Sequence, residues 1–244
     1  MARHAKELTG ANNLCMAGGV ALNCVANGKV EKERIFDRVY IQPAAGDAGG
    51  SLGAALAMHH ISCGAERVAR NDQMLGSYLG PQFGKNEVNK VLHKYKAIAQ
   101  EYDDFSELCT EVANLLQEGN VVGWFQGRME FGPRALGNRS ILGDPTNEEM
   151  QKKLNLKIKY RESFRPFAPS ALEERANELF DMESDSPYML MVHPVKEELH
   201  LPIPDNYHSL PLREKLYVKR SKLPAITHID MSARIQTVSK ETNP

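Results

Sequence analysis

Apolar residues in the first sixty positions form short runs separated by glycine-rich turns. The pattern predicts strands in NLCMAGG and RVYIQP, each followed by a glycine turn and a helix, in ALNCVANGKV and AGDAGGSLGAALAMHH. Two such units favour a parallel α/β arrangement, and their helix N-termini suit phosphate or ribose groups. The glycines are equally compatible with close packing alone. We interpret His59 and His60, at the end of the second helix, as structural.

The pattern changes after residue 80. EVNKVLHKYKAIA predicts a short helix, and a clearer helix follows, with Asp104 at its N-cap, Glu107 completing a capping box and Gly119 at its C-terminal stop. The strand VVGWFQG comes next. We expect a junction within residues 67–81 and two domains, 1–75 and 76–244. Residues 195–222 are charged and interrupted by prolines, which predicts a surface excursion without assignable chemistry.

Composition narrows the class of protein. The 244 residues carry 30 Lys and Arg against 31 Asp and Glu, a net charge of −1, so no global field favours nucleic acid or an anionic membrane. No segment approaches the ~20 apolar residues of a membrane span, and the N-terminus lacks the apolar core of a signal peptide, which predicts a cytoplasmic protein. The four cysteines form no CxxC pair and are expected to be buried and reduced.

Local charge is concentrated in residues 128–165, where nine basic and five acidic residues give +4. The run GRMEFGPRALGNRSILGDP places three arginines, an amide and a hydroxyl directly after a strand. Arginine grips carboxylate or phosphate oxygens with two donors, so the run predicts an anion site. In KIKYRESFRPFAPS, Lys159, Arg161 and Arg165 share parity, and an extended segment would present them on one side. A solvated basic face explains the composition equally well.

Longer motifs add a resemblance. GWFQGRMEFGPRALGNRSILGDP, RESFRPFAPS and PAITHIDMSARIQTV resemble the C-terminal region of the NodU/CmcH-type O-carbamoyltransferase family. AGGVALN and IQPAAGDAGGSLGAAL resemble the end of that family's N-terminal domain. The resemblance implies an α/β fold in which the end of an actin-like (Kae1-like) nucleotide-binding domain precedes a YrdC-like α/β domain. It further implies transfer of a carbamoyl group from carbamoyl phosphate, activated by ATP as carbamoyl adenylate, to a hydroxyl of a sugar or antibiotic-like acceptor.

The resemblance also implies roles for particular residues. The catalytic set at the carbamoyl phosphate and adenylate site is Arg128, Arg134, Arg139, Lys159 and Arg161. Substrate binding is implied for Glu130, Asn138, Ser140 and Arg165, and His228, Asp230 and Arg234 are further candidates because a His beside a carboxylate positions a hydroxyl. Nucleotide contacts are implied for Gly18, Gly19 and Asn23, and binding of iron (Fe²⁺) or another divalent metal for Asp47.

The chain departs from the family pattern in length and in one loop. Family members are more than twice as long, and the paired histidines that complete their iron site have no counterpart here, so we expect a fragment with an incomplete metal site. Met231 stands where the family commonly has Gly. Two alternatives stay open: an actin-like sugar kinase fragment, and a YrdC-like module that binds RNA or nucleotide, although a pI of about 6.7 makes nucleic acid an unfavoured partner.

Overall fold

In a computed structural model, residues 1–68, 72–162 and 164–243 are described. Part of the expected junction, residues 69–71, lies outside them. The N-terminal segment follows the predicted order of strand, turn and helix twice. The elements are α1 (Ala2–Thr9), β1 (Asn13–Met16), a 3₁₀ turn (Gly19–Leu22), α2 (Cys24–Lys32), β2 (Arg38–Ile41), α3 (Asp47–Ala57) and a π-helical turn (Met58–Ser62) that carries His59 and His60.

Strands β1 and β2 pair in parallel, as the two-unit pattern predicts, with Asn13 opposite Arg38 and Met16 opposite Ile41. The connection through α2 is the crossover that parallel strands need. A small apolar core forms beneath the strands around Ala21, Ile41 and Leu190. Since Leu190 comes from the far end of the chain, the N-terminal unit is packed against the C-terminal part.

The middle of the chain contains two helices and a strand pair. After a 3₁₀ turn (Leu75–Ser77) come α4 (Lys85–Tyr95) and α5 (Phe105–Gln117). Asp104 caps α5 as predicted, although its carboxylate accepts from Ser106 N rather than from Glu107. The next elements, β3 (Val122–Phe125) and β4 (Arg139–Leu142), pair antiparallel. The glycine-rich run therefore closes a hairpin rather than leading from a parallel strand into a helix.

The remaining elements surround the larger apolar core, which includes Phe180, Val195 and Ile235. Strand β5 (Ser170–Leu172) pairs parallel with β8 (Gln236–Val238), and β6 (His193–Pro194) pairs antiparallel with β7 (Ser232–Ala233). The elements are α6 (Met150–Lys153), a π-helical turn (Leu154–Ile158), β5 (Ser170–Leu172), 3₁₀ (Glu173–Arg175), α7 (Ala176–Leu179), β6 (His193–Pro194), 3₁₀ (Glu197–Leu199), 3₁₀ (Tyr207–Ser209), α8 (Leu212–Tyr217), β7 (Ser232–Ala233) and β8 (Gln236–Val238).

Two close approaches hold the N-terminal unit against the rest of the chain. Asn27, fully buried, donates to Ala21 O and Leu190 O at 2.8 and 2.9 Å. At Gly28 a Cβ would stand 2.8 Å from Val192 Cγ2, so only glycine fits without a shift. The fold is thus mixed α/β, built from small two-stranded sheets. The assignment of its parts to actin-like and YrdC-like domains, and the boundary at residue 75, stay predictions.

Two sequence expectations about local structure are wrong. Lys159, Arg161 and Arg165 do not lie on an extended segment, because Leu154–Ile158 wind into a π-helical turn and Tyr160 has a left-handed φ of 48°. The cysteines are not buried: three are exposed and one is half-buried, since the small sheets and helices that carry them have few apolar neighbours to cover them. The exposed three are Cys15, Cys63 and Cys109.

Candidate anion-binding site

The glycine-rich loop between β3 and β4 is organised by a buried carboxylate. Glu130, 6% exposed, accepts backbone hydrogen bonds on Oε1 from Leu136 at 2.5 Å and from Asn138 at 2.9 Å. Its other oxygen lies 3.2 Å from Arg139 Nε, an ion-pair contact without hydrogen-bond geometry. Gly132, at φ +119°, lets this loop approach Ala44 within contact distance. A buried carboxylate that draws two N–H groups inward fixes the loop's shape.

Several residues predicted as ligands instead make contacts within this loop or at its edges. Asn138, also buried, donates from Nδ2 to Arg128 O at 2.7 Å and accepts from Asn243 at 3.0 Å. Arg139 donates to Gly132 O at 2.9 Å. The other two make peripheral contacts: Ser140 Oγ accepts from Gly137 N at 3.0 Å, and exposed Arg128 donates to Gly80 O at 3.0 Å. Their polar groups thus shape the loop.

A cavity of about 1110 Å³ lies beside the loop and collects much of the positive charge. The arginines that line it come from segments up to a hundred residues apart in the chain. A histidine and an aspartate also line it. Of the predicted residues, it brings together Arg134, Arg161, Arg165, Arg234, His228 and Asp230. Lys159 is exposed and is not among the lining residues.

Of the predicted arginines that line the cavity, Arg165 is paired with Glu162 at 3.1 Å, whereas Arg134 and Arg161 are held by neutral hydrogen-bond partners. Arg134 donates to Leu22 O at 3.0 Å, and Arg161 donates from Nε to Asn155 at 2.6 Å while lying 5.1 Å from the Phe167 ring centroid. Within the described parts of the chain, no ion pair joins Arg134, Arg161 or Arg234 to a carboxylate. The cavity therefore presents fixed donors and uncompensated positive charge.

Mutual repulsion is visible in the pKa values of two of these arginines. Burial, and next the nearby Arg134, lower the pKa of Arg234 from its usual value. Burial, and next Arg165, lower the pKa of Arg161. Arginine still stays charged at neutral pH. An anion placed among these groups would relieve the repulsion.

Sequence reasoning missed the contribution of the segment 195–222. Four residues of helix α8 line the cavity, together with Arg220, which is 5% exposed. It donates to the carbonyls of Lys215, Val218, Thr227 and His228, at 2.5 to 3.2 Å. The prediction of a surface excursion does not hold for Arg220, whose side chain is buried. Arg220 gave no distinct sequence signal among the basic residues of PLREKLYVKRSKLP, because its partners are carbonyls.

Strand β7 and the turn before it place His228 and Asp230 at the cavity. Ser232, buried in β7, donates to Asp230 Oδ1 at 2.6 Å from its hydroxyl and at 3.2 Å from its backbone N. Its Oγ also lies 3.1 Å from His228 Nδ1. Met231 closes the turn with a left-handed φ of 63°, the conformation that Gly adopts without strain. The sequence difference at this position therefore leaves the turn intact but strained.

The N-terminal segment contributes Cys24 and Val25 to the cavity lining, whereas the candidates Gly18, Gly19 and Asn23 precede them in the chain and are not lining residues. Gly18, at φ +88°, donates to Ala45 O at 2.7 Å, and Gly19 opens the 3₁₀ turn that leads into α2. Asn23 caps α2 by accepting from Ala26 N at 3.1 Å. The first residue of that helix, Cys24, lines the cavity and contacts Arg234. The glycine turn and the arginines thus approach each other.

Asp47 stands alone as a candidate metal ligand. It is exposed at the first position of α3. In the described ranges, no group of three or more His, Cys, Asp or Glu side chains is placed to hold a metal ion. One carboxylate does not make a stable site. The residues described here therefore do not by themselves fit an iron centre.

None of the helices in the described ranges is both long enough and apolar enough to cross a membrane.

Comparison with known proteins places these features in a family. An uncharacterized protein of Synechocystis is 58% identical over 241 residues, 98% of this chain and 39% of that protein. Nodulation protein NolO of Bradyrhizobium diazoefficiens is 41% identical over 99% of this chain and 40% of its own length. Nodulation protein U of Rhizobium fredii is 36% identical, over 96% of this chain and 34% of its own length.

The chain therefore spans about two fifths of the length of the curated relatives it matches. Two family models match it as well: that of the carbamoyltransferase N-terminus over residues 2–56 and that of the carbamoyltransferase C-terminus over residues 113–244. The second match alone covers more than half of the chain and includes every arginine of the cavity. By these matches, the chain belongs to the carbamoyltransferase family.

Proposed function

We propose that the protein carrying this sequence is an O-carbamoyltransferase, and that the arginine-lined cavity binds carbamoyl phosphate and ATP and forms carbamoyl adenylate. The observation that carries the proposal is the convergence of Arg134, Arg161 and Arg234, without carboxylate partners, in one cavity of a chain of this family. Family membership favours this function over the sugar kinase and over the RNA-binding module.

The chemistry requires what the cavity offers. Carbamoyl phosphate is a compact dianion, and bringing ATP beside it adds further negative charge, so fixed cations must offset the repulsion between the reactants. No protein nucleophile is needed. Water displaces phosphate from carbamoyl phosphate, a carbamate oxygen attacks the α-phosphorus of ATP, and pyrophosphate leaves. The acceptor's hydroxyl oxygen then attacks the carbamoyl carbon of the adenylate, AMP leaves, and the hydroxyl proton passes to solvent. The arginines bind and orient the phosphate groups of the two substrates, and the loop organised by Glu130 keeps Arg134 in position.

The N-terminal glycine turn has a proposed role at the same site. Gly18, Gly19 and Asn23 are the candidates for a nucleotide contact, supported by the position of α2 at the cavity edge. We propose Asp47 as one ligand of the iron or other divalent metal of longer family members. The acceptor class, a sugar or antibiotic-like alcohol, follows from the resemblance alone.

Anion-dependent stability tests the binding half of this proposal. Phosphate, sulfate and carbamoyl phosphate should raise the Tm of the 244-residue chain more than chloride does at equal ionic strength. A ligand at a hundredfold excess over its Kd adds about 2.7 kcal/mol to the free energy of unfolding. The double variant Arg134→Met/Arg234→Met should lose the effect, whereas Arg3→Met, which removes an exposed arginine paired with Glu33, should keep it. Equal shifts with all salts contradict the site.

The chemical half needs an activity assay on the protein that carries this sequence. In the unsubstituted protein, pyrophosphate should exchange into ATP in a reaction that depends on carbamoyl phosphate. Arg234→Met should reduce the rate of this exchange by at least one to two orders of magnitude, since each lost charge-assisted contact costs about 1.5–3 kcal/mol. Salt-sensitive RNA binding in the absence of any exchange would instead favour the nucleic-acid module.

A further inference from the structure

The cavity contains one side chain whose hydrogen-bonding state the geometry fixes. Ser232 donates its hydroxyl proton to Asp230 Oδ1, because an ionised carboxylate only accepts. The same oxygen lies 3.1 Å from His228 Nδ1, and with its proton committed it acts there as an acceptor. His228 Nδ1 therefore carries the ring proton, and Nε2 carries a lone pair.

The electrostatic surroundings favour a neutral imidazole at His228 and an ionised carboxylate at Asp230. Burial, opposed by Asp230 and assisted by Arg234 and Arg220, lowers the pKa of His228. Burial would raise the pKa of Asp230, but the hydrogen bonds from Ser232 outweigh it and the pKa is lowered. At neutral pH the imidazole is thus uncharged, and its Nε2 is an acceptor.

The lining of the cavity carries several arginine donors. His228 lines the cavity, and among the described residues no side chain or backbone group donates to its Nε2. The arginines around it donate only. Asp230 also lines the cavity, but one of its oxygens is engaged by Ser232, and its charge would repel an anionic ligand. The neutral imidazole offers an acceptor that adds no negative charge beside a phosphate, and Arg234 and Arg220 lie close enough to influence it.

We propose that His228 Nε2, oriented by Ser232, accepts a hydrogen bond from the NH₂ group of a carbamoyl donor and so selects it over the corresponding acetyl compound. The inference rests on the proposed function, and it adds a residue that reads the uncharged end of the substrate while the arginines hold the phosphate. A site built around a buried acceptor discriminates against an analogue that has a methyl group in place of the donor, because the acceptor is then left unpaired.

Carbamoyl phosphate and acetyl phosphate form a matched pair for the test, since they differ only in NH₂ against CH₃. Phosphonoacetamide and phosphonoacetone keep that difference in compounds that resist hydrolysis. Inorganic phosphate reports on the arginines alone. Dissociation constants of these probes for the 244-residue chain, measured by calorimetry, should show the carbamoyl-type ligand binding about tenfold more tightly than its methyl analogue.

Four variants distinguish a loss of preference for the carbamoyl-type ligand from misfolding and from a loss of anion binding. His228→Phe should bring the ratio of the two dissociation constants to about one, with phosphate affinity unchanged within twofold. Ser232→Ala keeps the imidazole but removes its partner, and should lower the ratio several-fold, while His228→Gln, which retains an acceptor, should recover part of it. His208→Phe, a change at an exposed histidine in the segment before the turn, is the control and should leave the ratio at tenfold.

Each outcome decides one claim. Tenfold selection that survives in His228→Phe, or equal binding of both ligands to the unsubstituted chain, overturns the role of His228 while leaving the anion site in place. Failure of every probe, inorganic phosphate included, to bind the folded chain overturns the proposed cavity itself. Loss of selection in the His228 and Ser232 variants, with phosphate binding retained, supports the proposal.

Discussion

Replacement of Glu130 tests whether the glycine-rich loop is held by one buried carboxylate. In Glu130→Ala the backbone N–H groups of Leu136 and Asn138 lose their acceptor, and Arg139 loses its ion pair. Hydrogen bonds to charged groups contribute about 1.5–3 kcal/mol each, but the two share one oxygen. Removing one partner of a buried ion pair costs about 3–5 kcal/mol, so we expect a loss near 4 kcal/mol.

The measurement is the free energy of unfolding by urea, at neutral pH, with the m-value checked for change. Glu130→Gln keeps an acceptor and the volume of the side chain, and should lose about half as much. Glu33→Gln provides the control: this carboxylate pairs with Arg3 at 2.8 Å on the surface and should cost at most about 1 kcal/mol.

A second readout separates loop structure from ligand contact. If Glu130 acts by shaping the loop, Glu130→Ala should weaken binding of inorganic phosphate and lower stability together. The reasoning is refuted if Glu130→Ala destabilises the chain by less than 1 kcal/mol. Weakened phosphate binding at full stability would mean that Glu130 contacts the ligand directly, as the sequence motif alone had suggested.

Three further perturbations test the packing, the turn and the pH dependence. Gly28→Ala should destabilise by about 1–3 kcal/mol in urea unfolding because its Cβ meets Val192, whereas Gly53→Ala, in open space within α3, should stabilise by about 0.5–1 kcal/mol. Met231→Gly should raise stability by up to about 1 kcal/mol, since it relieves a left-handed φ, and Met231→Ala should give no such gain. Burial lowers the pKa of His193, although a nearby carboxylate opposes the shift. Below about pH 6.5 the unfolded chain therefore binds a proton at this histidine that the folded chain does not bind. Stability should therefore fall from pH 7.5 to pH 5.5, and the fall should be smaller in His193→Gln.

The sequence predicted the elements whose signals are local. The parallel pair β1 and β2, with α2 between them, follows from alternation and glycine turns. Helix α5 begins after Asp104 because a short acidic side chain satisfies a free N–H at a helix start. These features depend on neighbours within a few residues, and the chain alone displays them.

The site was predicted less completely, because its geometry is set by distant contacts. The motif placed Arg134 and Arg161 correctly in a basic region, but nothing local shows that Arg220 gathers four carbonyls or that Ser232 lies between His228 and Asp230. The parity argument for Lys159, Arg161 and Arg165 was wrong because Lys159 ends a π-helical turn and Tyr160 has a left-handed φ, so the three do not lie on an extended segment. The roles that the resemblance implies for the individual residues stay predictions.

Arg220 is stabilised by carbonyl oxygens rather than by a carboxylate, and this affects the electrostatic field inside the cavity. A carboxylate partner would place a full negative charge at the wall and would compete with an incoming anion. The carbonyl dipoles stabilise the guanidinium by accepting its hydrogen bonds, and they add no net charge. Because its hydrogen-bond partners are the carbonyls of Lys215, Val218, Thr227 and His228, Arg220 brings its positive charge to the cavity wall without any carboxylate of the described residues bound to it.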